Sequence, residues 1–142
     1  MKRLLVTLFA LVCCCPAAAE QKETFDGIDV HYIVLPTTDL DADIAARYGI
    51  VRAPLTGFVN ISMVVADGPF EALSGNVDVT VKDLLGNVVH LDMREISEPP
   101  ARYYLGTFTY SNEETMRLRI TVTLPDGRAH TFTHQQKMYR EQ

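Results

Sequence analysis

Between Asn76 and Asp83 the valines 77, 79 and 81 alternate with Asp78, Thr80 and Lys82. Between Thr115 and Leu124, Met116, Leu118, Ile120, Val122 and Leu124 alternate with Arg117, Arg119, Thr121 and Thr123. A period of two sends successive side chains to opposite faces of a strand, and it fits no amphipathic helix. The pattern recurs. Ile28, Val30, Tyr32 and Val34 share a face over Gly27 to Leu35, and Val59, Ile61, Met63 and Val65 share one over Gly57 to Ala66. Val89, Leu91 and Met93 do so over Val88 to Ser97. An aromatic run from Arg102 to Tyr110 and a weaker alternation from Arg128 to Tyr139 complete the set. Turn signals separate the runs: Asp67-Gly68-Pro69, Leu84 to Asn87, Pro99-Pro100, Ser111 to Glu114 and Pro125-Asp126-Gly127. About seven hairpin-linked strands predict an all-β chain, a single immunoglobulin-like antiparallel β-sandwich. It lacks the cysteine pair and tryptophan of antibody domains.

One stretch departs from the pattern. From His31 to Ile61 the sequence reads strand, short helix, loop, strand. Thr38 to Asp41 offers capping oxygens and early acidic residues, and Gly49 offers a stop. The spacing predicts a helix over Asp39 to Tyr48, inserted between the first two strands, with Leu40, Ile44 and Tyr48 as the stripe that packs on the sheet. Connections that interrupt a plain scaffold carry function more often than the scaffold does.

The chain opens with Lys2 and Arg3, an apolar run from Leu4 to Val12 and the small residues Ala17 to Ala19, the grammar of a secretory signal peptide over residues 1–19. Its apolar run is about half the length that spans a bilayer. The alternative is a lipid anchor on Cys13, Cys14 or Cys15, although none follows the small residue such a site prefers. Cleavage after Ala19 leaves residues 20–142 as one cysteine-free domain, soluble and periplasmic, whose stability rests on its core. The formal charge of −5 becomes −7 when Lys2 and Arg3 leave. The remaining basic residues are scattered, Arg117 and Arg119 coming closest to a stripe, which argues against nucleic acid and against anionic membrane surfaces as partners.

The four histidines, His31, His90, His130 and His134, all lie beyond the leader. His130 and His134 on one strand stand ~13 Å apart, too far to share a metal ion, so neither a metal nor a cofactor is expected. Ser62, Ser74, Ser97 and Ser111 lack a nucleophile-elbow context, and Glu113-Glu114 reads as a solvated turn. The strongest candidate site is the helix-bearing end. There His31, Tyr48, Arg52 and Asn60 converge if the helix folds back over the first two strands, and an Arg fork with Asn and His donors suits a carboxylate or a peptide terminus.

The His31-Tyr32 pair, the run from Thr38 through Tyr48-Gly49-Ile50 to Arg52, Val59-Asn60-Ile61, the SNEET turn from Ser111 to Thr115, Phe132 and Met138-Tyr139 together resemble a bacterial exported family catalogued as domain of unknown function 4426. The resemblance spans nearly all of residues 20–142 and implies an exported β domain without implying a mechanism. The family's Arg-Ser is replaced here by Arg52-Ala53-Pro54, so no role for that serine carries over. The expected function is a non-catalytic module that binds an envelope protein or peptide. A small hydrolase or ligand-binding protein using the same end is the alternative.

Overall fold

The computed structural model describes residues 21–141, and the expected leader over residues 1–19 lies outside them. Among the described residues nine strands form two antiparallel sheets. The first sheet has the order β1 (Lys22–Phe25), β2 (Ile28–Pro36), β3 (Thr56–Val65), β7 (Ala101–Thr109), β6 (Arg94–Glu98). The second runs β5 (Val88–His90), β4 (Asn76–Lys82), β8 (Glu114–Thr123), β9 (Ala129–Met138).

The alternating residues meet between the sheets. Val30, Val59, Ile61 and Met63 from the first sheet and Val79, Leu118, Ile120 and Val122 from the second are fully buried in one cluster of 20 residues. Each is an inward position of its strand, so burial follows directly from the period of two.

Nine strands replace the expected seven for two reasons. Lys22 to Phe25 pairs with Asp29's strand as an edge, too short and polar to announce itself. The expected strand from Val88 to Ser97 is two strands in different sheets, β5 pairing with β4 and β6 with β7. Leu91 is buried and Met93 partly so at the crossing, whereas Val89 is 57% exposed. The helix-bearing connection therefore joins β2 to β3.

That connection begins with a 3₁₀ turn, Thr37–Asp39, after which Leu40 is extended and breaks the helix. The helix proper, α1, is Ala42–Arg47, capped by Asp41 accepting from the Asp43 and Ile44 amides. The expected stripe does not pack as a stripe, since Ile44 is 45% exposed and Ala45 is the helical residue that is buried. A six-residue helix has one turn to bury, and its small residue allows the closest approach.

Candidate functional site

The first sheet is apolar on both faces. Phe58, Val64 and Leu105 point away from the shared core by alternation, yet all three are buried, as is Ala45. The connection from Thr37 to Leu55 accounts for part of this cover. It leaves β2 at one side, and its far end is held by β6 at the other: the Tyr48 hydroxyl donates to Glu98 Oε1 (3.1 Å), and Arg94 Nη2 donates to the Tyr48 carbonyl. The segment thus crosses β3 and β7 like a strap. Its root is fixed by Thr37, wholly buried, whose Oγ1 donates to the Ala53 carbonyl (3.1 Å) and accepts from the Ala53 amide (3.0 Å). Arg52 Nη2 donates to the Thr38 carbonyl at 2.6 Å.

Because the strap drifts toward β6, part of the outer face over β2 and β3 stays open. A trough of about 240 Å³ lies there, lined by His31, Ile33, Asn60, Ser62, Phe70 and Tyr103. The ladder sets its pattern: His31 stands opposite Ser62, and Ile33 opposite Asn60. Ile33 is 49% and Phe70 62% exposed. Asn60 Oδ1, by contrast, is sealed from solvent with no hydrogen-bond partner among the described residues.

Of the four residues expected to converge, the structure brings together His31 and Asn60. Tyr48 and Arg52 do not line the trough and hold the strap instead. The reason is the direction of the strap, which carries Tyr48 across the sheet to β6. Burial first, and then the bond to the Glu98 carboxylate, raise the Tyr48 phenol, which keeps it a neutral donor. At the β1 side of the face, Asp29 accepts from Thr24 Oγ1 at 2.5 Å and pairs with Lys22 at 3.2 Å. The Thr24 hydroxyl chiefly, against the opposing effect of burial, holds its carboxyl below the usual value.

Sequence reasoning did not place Ser62, Phe70 and Tyr103 with His31 and Asn60, and it weighed Ser62 only as a nucleophile without an elbow motif. Ser62 has a signal in the alternation, being the next outward position after Asn60. Tyr103 is the outward neighbour of the buried Tyr104. Phe70 sits in a turn, where no period applies.

The family described as "Domain of unknown function (DUF4426)" matches residues 22–141. The chain belongs to the DUF4426 family. A crystal structure of a DUF4426 family protein from Pseudomonas aeruginosa is 31% identical, with a TM-score of 0.74 over 87% of this chain and 97% of that one. The DUF4426 fold extends to more distant proteins. A copper-bound variant of FetP from uropathogenic Escherichia coli strain F11 is 9% identical with a TM-score of 0.61, covering 87% of this chain and 97% of its own. FetP as isolated, recombinantly expressed in the periplasm of E. coli, gives 9% and 0.61 with 95% of its chain covered. No curated protein matches this DUF4426 chain. Among the described residues no group of three or more His, Cys, Asp or Glu side chains is placed to hold a metal ion.

Proposed function

We propose that this chain is an exported, periplasmic binding module of the cell envelope that holds an extended peptide or a protein partner, without catalysis, in the trough over β2 and β3. The observation that carries this reading is the partnerless Asn60 Oδ1 in the wall of the trough. A buried acceptor left unsatisfied costs about 1–3 kcal/mol. A bound segment that brings a donor to this oxygen as the side chain swings toward the trough removes that cost. Ile33 and Phe70 supply open apolar contact, and His31, Ser62 and Tyr103 supply a few polar handles, the mixture by which ligand clefts fix orientation. Tyr48 and Arg52 act in this reading by holding the strap.

One feature supports the location: the leader grammar of residues 1–19, with cleavage near Ala19. The finer description of the fold, an immunoglobulin-like sandwich, is supported by antiparallel sheets of five and four strands around one core. The copper of FetP is no part of the proposal, since 9% identity carries the fold alone.

A selection of phage-displayed peptides on residues 20–142 tests the reading. Selected peptides bind wild type and Arg52→Ala alike and lose roughly tenfold or more on Asn60→Leu, a near-isosteric change that removes both polar ends. Failure to select any peptide, or peptides indifferent to Asn60, overturns it.

A hydrolase reading has one specific observation in its favour: Ser62 stands directly opposite His31, at the spacing where cross-strand side chains touch. Against it, the pair sits inside the β2–β3 ladder, which commits much of the local backbone and leaves oxyanion donors to come largely from side chains. A fluorophosphonate probe discriminates. Labelling of Ser62 that His31→Ala abolishes establishes the hydrolase and displaces the binding reading.

A further inference from the structure

The outward positions of the second sheet gather cations that the sequence scatters. Lys82 on β4 is the register partner of Arg117 on β8, Arg119 is the next outward residue along β8, and Lys137 on β9 stands opposite Thr115. All four are exposed, and no ion pair links any of them to a carboxylate among the described residues. Against these four cations, the acids on this face among the described residues are Asp78, 3.6 Å from His90, and Asp83, which follows Lys82 at the turn. One face of a chain with a formal charge of −5 is therefore positive.

The same face ends in an apolar tip. The β4–β5 turn raises Leu84, 72% exposed, and Leu85, 88% exposed, into solvent. Gly86 turns the chain at φ 90°, and Asp83 is occupied within the turn, accepting from the Asn87 backbone amide (2.8 Å) and side chain (2.7 Å). Leucines and cations are contiguous, since Leu84, Leu85, Lys82 and Arg117 line one depression of about 310 Å³.

We infer that this face, led by Leu84 and Leu85, docks on the surface of a bilayer containing anionic lipids. Charge complementarity selects the headgroups, and the two leucines gain by leaving water at the headgroup boundary. An acidic protein or a soluble polyanion would use the cations and leave the leucines without a role. The acidic remainder of the molecule does not cancel the attraction. Packed sheets are ~10 Å apart and the side chains of the other face lie further still, beyond the Debye length of ~8 Å at physiological salt. Docking by the second sheet leaves the trough on the first sheet open to the aqueous side.

Co-sedimentation with vesicles tests the inference. Residues 20–142 are the protein to use, because the apolar leader binds lipid by itself and the P. aeruginosa relative folds as a chain of which 97% is matched by 87% of this one. Binding is expected to vesicles of phosphatidylcholine with about one-third phosphatidylglycerol, not to phosphatidylcholine alone, and to fall steeply in high salt. At roughly fivefold per charge, Lys82→Gln with Arg117→Gln and Arg119→Gln reduces it about a hundredfold. Leu84→Ser with Leu85→Ser, fully exposed changes, reduces it roughly tenfold. Several results overturn the inference: no vesicle binding, equal binding to both compositions, or retention by the triple variant. Equal affinity of wild type and the leucine variant for heparin and for anionic vesicles also overturns it, and assigns the face to an acidic polymer.

Discussion

Gly57 pairs with Phe108 across β3 and β7, and a Cβ at position 57 would collide with that ring. The ring lies on the glycine and fills the space a side chain would take. Gly57→Ala is therefore overpacked and is expected to lose about 1–3 kcal/mol, read as a lower urea midpoint with an unchanged slope. Asp29 is an electrostatic counterpart at the same scale. Its folded value lies below the 3.8 of the unfolded carboxyl, chiefly through Thr24 and then Lys22. The unfolded chain thus binds the proton more tightly. The stabilising contribution is complete above 3.8 and disappears as pH falls through the lower folded value. Thr24→Val removes the largest cause, so its stability deficit against wild type is expected near neutral pH and shrinks as pH falls below 3.8; urea midpoints from neutral pH down through that range check it. Single residues were also where the candidate site was partly legible. His31 and Asn60 stood out as polar side chains on the two strands that flank the helix-bearing connection. Their neighbours Ser62 and Tyr103 join them by strand register, a relation between segments that no local pattern encodes.

The strap is held at two places of unequal strength. At its root, Thr37→Val keeps the shape of the side chain and orphans the Ala53 amide beside a wholly buried residue, while the Ala53 carbonyl keeps the Thr56 amide (3.2 Å); the expected cost is about 1–2 kcal/mol of global stability. At its far end, Tyr48→Phe removes an exposed bond to Glu98, and such bonds contribute about 0–1 kcal/mol. That variant is expected to keep its unfolding midpoint within error while the Tyr48, Gly49 and Ile50 amides exchange faster. Equal losses in both variants would show that the strap folds only as part of the core. The elements themselves were unevenly readable. β4 and β8 follow the alternation to the residue, because each has one wet and one dry face. The crossing at Leu91 to Met93 keeps the alternation while the chain changes sheets, so Val88 to Ser97 reads as one strand. The sequence marked the stop of the helix before Gly49 but set its start at Asp39, ahead of the cap at Asp41, and the tie to the sheet runs through hydrogen bonds at Tyr48, its hydroxyl donating and its carbonyl accepting, rather than through an apolar stripe.

At the scale of the whole molecule, the question is whether two sheets joined by different turns unfold as two units or one. The core argues for one. Its 20 residues come from both sheets and form a single cluster, and Leu118, with no exposed surface, lies within it. Tyr104 adds a polar tie between the sheets: its hydroxyl, on β7, accepts from the Gly75 amide (2.9 Å) and donates to the Gly75 carbonyl (3.1 Å), immediately before β4 begins. The chain itself crosses between sheets at Leu91. A cavity made in one sheet must then be felt by the other. Leu118→Ala deletes buried carbons and leaves space that close-packed neighbours fill only in part, at a cost of about 2–5 kcal/mol. If the sheets are one cooperative unit, native-state hydrogen exchange shows the Val59 and Ile61 amides of β3 losing as much protection as those of Val79 and Val81 on β4. A variant in which β4 exchanges freely while β3 stays protected would divide the domain at the Leu91 crossing. The trough and the strap would then belong to a sheet that stays folded when the cationic face is lost.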